Sequence, residues 1–201
     1  MKKSAFDLEH QSLNVESKIV ASLERISQAF RVLLWNESKE FSLSPIQIQI
    51  LIFLLNHSPD KRKVSHLANE FNMTKATVSE AIKTLEQKRL IEKHVEPDDT
   101  RSFLIHLTEQ GESVAKKTSF FSEQIQTPIN KLTDAGKENL LSSLLEIIYH
   151  LNQNGVITIQ RMCLTCQYYE SANGHFCKLL DKKLADVELR IDCPEHLSVR
   201  S

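Results

Sequence analysis

With 201 residues and 41% hydrophobic content, the chain has enough material for one ordinary domain and a small appendage. It lacks any apolar run of the roughly eighteen residues a transmembrane helix needs, and its start, MKKSAFDLEHQ, has no apolar signal core, so a cytoplasmic protein with no membrane partner is expected. A net charge of −1 does not advertise nucleic acid, and four glycines with no nucleophile elbow or phosphate-binding loop argue against an enzyme.

From Leu13 to Trp35, apolar Ile19, Leu23, Ile26, Phe30 and Leu33 mark a long amphipathic helix. Ser44-Pro45-Ile46-Gln47 combines a cap, a first-turn proline and a capping-box glutamine, so a new helix starts there. That helix is apolar nearly all round, from Ile46 to Leu55, and should be the buried centre of its domain. Val64, Leu67, Ala68 and Phe71 then place one apolar stripe on a short helix, and Val78, Ala81, Ile82 and Leu85 repeat it on the next. Only Asn72-Met73-Thr74 lies between them, with Thr74 as N-cap and a Met73–Val78 staple expected. Two helices joined so tightly form a helix-turn-helix. Leu90 to Val95 is a β-prone run, Glu96 to Arg101 a polar turn, and Phe103-Leu104-Ile105-His106-Leu107 an alternating strand, which together make a hairpin wing.

The start of the second helix carries the chemistry. Lys75, Ala76 and Thr77, with Ser79, Glu80 and Lys83 one turn on, face away from the apolar stripe, and Thr74 caps them. Short polar groups at a helix N-terminus can approach base edges in a major groove, and the free N–H groups there suit phosphate. Nine basic residues cluster between Lys61 and Arg101, although interleaved acids make the bias modest.

These segments resemble the MarR family of bacterial winged-helix regulators. TVSEAIKTLEQKRLIEK looks like its recognition helix and first wing strand, and PDDTRSFLIHLTEQG looks like its wing, with an acidic-x-Arg tip at Asp99 and Arg101 and a Leu-Thr-x-x-Gly ending at Leu107, Thr108 and Gly111. The resemblance covers about the first three quarters of the chain. It implies binding to a double-stranded DNA operator, a homodimer formed through the terminal helices, and a small-molecule effector that no residue set here identifies. In the wing, Arg101 is expected to reach into a minor groove, with Asp99 fixing the tip or orienting Arg101.

Past the wing, Thr108 can cap a helix through Val114, Ala115, Phe121 and Ile125 that Pro128 kinks or ends. Thr133 starts another, with a broad stripe from Leu140 to Leu151 and Gly155 placed to stop it. Val156-Ile157-Thr158-Ile159 is strand-like, and Val187, Leu189 and Ile191 alternate further on. All four cysteines fall in this tail: Cys163-x2-Cys166, ten residues, Cys177, fifteen residues, Cys193. In a reducing cytosol such a cluster points to metal rather than disulfides. Four thiolates suit a structural zinc site, which is the leading cofactor reading. The same set suits an iron–sulfur cluster, with Cys193-Pro194 resembling the end of ferredoxin-type motifs. Metal-free redox thiols are a third reading, and His175 or His196 could substitute as ligands.

The expected architecture is mainly α with a small β-hairpin wing. It divides into an N-terminal dimerisation helix at 1–43, a winged helix-turn-helix at 44–111, dimerisation helices at 112–155 and a metal-binding extension at 156–201. The expected function is a sequence-specific DNA-binding transcriptional regulator modulated or stabilised by a metal centre. The alternative is a thiol or iron–sulfur redox protein whose winged region only docks a partner protein.

Overall fold

The computed structural model describes residues 3–96, 99–172 and 174–199. The chain opens with α1 (Leu8–Leu13) and α2 (Val15–Phe41), separated by Asn14, whose side chain accepts the Ser17 N–H and so begins a new helix. α2 runs six residues past the expected end at Trp35 and stops where Ser42 turns left-handed at φ 52°. α3 (Pro45–Asn56) starts on the expected capping box, with the Ser44 and Gln47 side chains each accepting the other residue's N–H. Ile48, Ile50, Leu51 and Leu54 are fully buried on it, so α3 is the pillar of the core.

The helix-turn-helix forms as expected from α4 (Val64–Glu70) and α5 (Lys75–Gln87). Asn72 at φ 51° reverses the chain, while the Met73 N–H donates to the Ala68 carbonyl at 2.8 Å, which ends α4 in two residues. Asparagine tolerates that left-handed conformation better than most side chains. Met73 itself stays exposed.

The wing is the antiparallel pair β1 (Ile91–Glu96) and β2 (Asp99–Leu107). Its strands run further into the tip than the polar stretch suggested, while Pro97 and Asp98 lie outside the described residues. Ile91 pairs with Leu107 and Lys93 with Ile105, which places Ile91, Ile105, Phe103 and Leu107 on the core-facing side. The Leu-Thr-x-x-Gly ending has a structural reason. Thr108 donates its hydroxyl to the Arg89 carbonyl at 2.8 Å and caps α6 (Glu109–Thr118) by accepting the Gly111 N–H. A Cβ on Gly111 would lie 1.8 Å from the Leu90 carbonyl oxygen, so only glycine lets α6 close on the wing.

Beyond α6 one expectation needs correction. The helix ends at Thr118 rather than at Pro128, passes through a 3-10 turn at Ser119–Ser122, and resumes as α7 (Glu123–Asn130) with Pro128 inside it. Thr118 and Ser119 donate their hydroxyls to backbone carbonyls one turn back, offering the chain an alternative to continued helix. α8 (Asp134–Gln153) begins on Thr133 and stops at Gly155, whose φ of 68° lets the Val156 N–H reach the Leu151 carbonyl at 2.9 Å.

The tail differs most from expectation. Val156-Ile157-Thr158-Ile159 forms no strand; Asn152 donates to the Ile157 and Thr158 carbonyls and holds it as an irregular strap. Val187, Leu189 and Ile191 do not form a strand either, because Asp186–Glu188 is a 3-10 turn that buries Leu189 and exposes the other two. The strands lie elsewhere: β3 (Tyr169–Glu170), β4 (His175–Cys177) and β5 (Lys182–Leu184) make a small antiparallel sheet. A second core of Leu145, Met162 and Leu189 joins this tail to α8. No described helix is long and apolar enough to cross a membrane.

Candidate functional site

The two faces of α5 are cleanly divided. Val78, Ala81, Ile82 and Leu85 are buried, whereas Thr74, Lys75, Ala76, Thr77, Ser79, Glu80 and Lys83 are all exposed. Thr74 accepts the Thr77 N–H at 3.1 Å and meets the Thr77 hydroxyl at 2.9 Å, which fixes the helix start while the N–H groups of Lys75 and Ala76 stay open to a ligand. The Lys83 ammonium lies 4.0 Å from Glu80, a loose surface pair that leaves its charge available.

The basic residues around this surface are not equivalent. Arg62 donates twice to the His57 carbonyl, at 3.1 and 2.8 Å, Lys88 donates to the Ser42 carbonyl, and Lys93 pairs with Glu86 at 2.6 Å while lying over the Phe103 ring. These three brace the fold, a role their positive charge did not foretell. Asp99 and Arg101 lie in β2, and their side chains fall outside the described residues.

The four cysteines come together from three separate segments. Cys163 and Cys166 flank a tight 3-10 turn in which the Cys166 N–H donates to the Cys163 carbonyl at 2.9 Å. Cys177 ends β4, and Cys193 begins a second turn in which the His196 N–H donates to its carbonyl at 3.2 Å. All four line one small cavity of about 30 Å³. The Arg190 N–H points at Cys163 Sγ, 3.3 Å away, a contact that favours a thiolate. Burial nevertheless pushes the Cys163 thiol up, with the three neighbouring cysteines adding to the effect. Among the described residues, no three His, Cys, Asp or Glu side chains converge tightly enough as they stand to hold an ion. The histidines raised as substitute ligands are engaged elsewhere: His175 meets the Tyr169 hydroxyl at 2.5 Å and Asp186 at 3.2 Å, and His196 meets the Thr165 hydroxyl at 3.0 Å.

The sequence did not reveal the joint between tail and winged domain. Arg161, only 7% exposed, donates from Nη1 and Nη2 to the Glu70 carboxylate at 2.7 and 3.0 Å and from Nε to Asp192 at 2.6 Å. Its guanidinium also lies 5.7 Å from the Phe53 ring centroid, and His57, stacked on Phe53, comes within 3.7 Å of Asp192. Burial opposes the Arg161 charge, but Glu70 and Asp192 outweigh it and push its pKa up. Next to them, His57 and Arg161 hold the Asp192 carboxyl down to about 2. Thr158 adds a hydrogen bond to the Asn69 carbonyl at 2.7 Å. These partners lie up to 104 residues apart, beyond the reach of any local pattern.

Known proteins share the winged helix-turn-helix part of the chain. A model of the MarR family matches residues 41–102. The HTH-type transcriptional regulator MgrA of Staphylococcus aureus is 30% identical over 112 residues, covering 56% of this chain and 74% of MgrA. YhbI of Bacillus subtilis, an uncharacterised HTH-type transcriptional regulator, is 27% identical over 107 residues, 51% of this chain and 70% of YhbI. Among solved structures, the S. aureus MepR–DNA complex superposes with a TM-score of 0.58 at 27% identity, covering 66% of this chain and 97% of that one. MepR in its DNA-binding conformation gives the same TM-score and identity over 66% of this chain and 98% of that one. A third of the present chain thus has no counterpart in either structure.

Proposed function

This chain belongs to the MarR family of DNA-binding transcriptional regulators, and from that premise we propose that it reads an operator duplex as a homodimer, with α5 in the major groove of each half-site. The observation that carries the proposal is the division of α5 into a buried apolar face and an exposed face of Lys75, Ala76, Thr77, Ser79, Glu80 and Lys83, with a capped, open N-terminus. Such a helix, held out by α4 and followed at once by a wing, presents donors where phosphates and base edges lie. The likeness to MepR, solved on DNA, supports the same use here. Arg101 in β2 is proposed to follow the adjacent minor groove, with Asp99 positioning the tip.

Dimerisation through the terminal helices is supported by apolar side chains that one chain leaves uncovered. Ile19, Val20, Ile26, Phe30 and Trp35 on α2, with Leu8 and Leu13 on α1, are all exposed. A surface of that kind fits a second copy, and a two-fold pair of α5 helices would then fit an inverted repeat. The reading of the winged region as a docking module for a redox partner finds no support among these relatives, which are regulators of transcription.

The tail is proposed to hold a metal, with Cys163, Cys166, Cys177 and Cys193 as its ligands. The donor set fits the group: four thiol side chains line one cavity, one of them already accepting a backbone N–H, and the surrounding tail has only a small core of its own. Zinc is the leading occupant, and it would supply a static cross-link between the two turns and β4. An iron–sulfur cluster is the other occupant that four thiolates suit. Either way the tail's own residues carry the link to the DNA-binding unit, because Cys193 donates its N–H to the Arg161 carbonyl at 3.0 Å and Asp192 pairs with the Arg161 guanidinium.

Selection from a random duplex pool with the purified protein tests the function. Enrichment of an inverted repeat with half-sites about one helical turn apart is expected, and Thr77→Ala should relax preference inside each half-site. A pool that stays random after several rounds would refute sequence-specific binding.

A further inference from the structure

The two cysteine turns of the tail are tied together by a residue that is not a cysteine. Met162 and Leu189 share one buried core with Leu145 of α8, and that packing brings the next residue of each segment, Cys163 and Arg190, side by side. The Cys163 N–H donates to the Arg190 carbonyl at 3.0 Å, and the Arg190 N–H returns to Cys163 Sγ at 3.3 Å. The Arg190 side chain turns to the other end of the set. Its Nη1 donates to Cys193 Sγ at 3.7 Å and to the Glu195 carboxylate at 3.3 Å. Arg190 thus reaches two sulfurs, one through its backbone and one through its guanidinium.

The charge balance gives that position a purpose. Four thiols that take up a divalent ion release their protons to solvent, and the four thiolates around the ion leave a surplus of negative charge. A neighbouring cation favours that state, and a neighbouring anion opposes it. Lys182 and Arg190 both line the hollow beside Cys163, Cys177 and Cys193. Lys182 is taken up by Glu188 at 2.5 Å, whereas Arg190 aims at a sulfur. Glu195 works the other way. Its carboxylate accepts the Cys193 thiol proton at 3.5 Å, a contact that turns repulsive once that proton leaves. Arg190 is bonded to both partners of that contact.

We propose that Arg190 is the charge partner of the four-cysteine metal site, a positioning residue that favours Cys193 as a thiolate and offsets the repulsion from Glu195. The proposal rests on the metal reading above and adds no ligand to it. Outer-sphere partners of this kind orient the ligands and tune how tightly they hold the ion.

Competition for zinc between the reduced full-length protein and a chromophoric chelator tests this role. Arg190→Gln keeps both backbone contacts with Cys163 and should weaken zinc binding about tenfold, the lower end for a lost outer-sphere partner because the side chain is half exposed. Arg190→Lys should recover part of that loss, since the charge returns without the planar fork. Glu195→Gln should tighten zinc binding, because the anion opposing the thiolate is gone. If Arg190 and Glu195 were only an ion pair bracing the turn, both glutamine variants would weaken binding, so the opposite signs separate the two roles. Cobalt in place of zinc adds a signature at the sulfur: the thiolate-to-cobalt charge-transfer band should move to longer wavelength in Arg190→Gln. Unaltered zinc affinity in Arg190→Gln, an unmoved cobalt band, or a Glu195→Gln protein that binds zinc no more tightly would each overturn the role of Arg190 and leave the metal site standing. Failure of the unmodified protein to bind zinc would instead overturn the metal reading, and this inference with it.

Discussion

Arg161 sits where three segments far apart in sequence meet: the end of α4 at Glu70, the end of α3 at Phe53 and His57, and the residue before Cys193. Because it is almost fully buried, its charge persists only through those partners. Replacing it with methionine keeps the stem but leaves Glu70, itself largely covered, without a counter-charge. Chemical denaturation should therefore show a loss of about 3 kcal/mol, at the lower end for a broken buried pair because Asp192 is half exposed. Glu70→Gln in the same background should restore part of it, since the uncompensated carboxylate is then gone. A change under about 0.5 kcal/mol for Arg161→Met would mean the clasp is not a structural joint. Nothing near residue 161 in the sequence signals this role, because every side chain that binds its guanidinium comes from elsewhere in the chain.

At the scale of elements, legibility follows locality. The α3 capping box, the α5 stripe, the Thr108 and Thr133 caps and the Gly155 stop are set by residues within a few positions of one another, and each appears where spacing placed it. The tail is different. Its strands are two or three residues long and paired through turns, and its core is completed by Leu145 of α8, so period-two alternation was misleading around Val187 to Ile191. Cysteine spacing was the better guide to which residues come together, since all four side chains line one cavity. Metal analysis of protein purified without chelator should find about one zinc per chain, falling sharply in Cys166→Ser. Chelation should then free the tail, read as protease cleavage within 156–199 while the winged domain stays intact. Four freely titratable thiols with neither zinc nor iron would contradict the metal reading.

For the whole molecule, the winged domain and the terminal helices could be foreseen, since a helix-turn-helix followed by a wing has few uses besides nucleic acid. Which basic residues were free to act was not legible: Arg62, Lys88 and Lys93 serve the fold, and only burial and partner distances separate them from Lys75 and Lys83. The overall charge of −1 means that duplex affinity must come from a local basic face rather than a general attraction. That makes salt dependence the most direct test. Affinity for the selected operator duplex, measured by fluorescence anisotropy across a series of salt concentrations, should fall steeply and linearly on logarithmic axes. Lys83→Ala and Arg101→Ala should each lower affinity and reduce the slope by about one unit per half-site. Affinity indifferent to salt, with both variants matching the unmodified protein, would contradict a regulator that grips DNA through α5 and the wing.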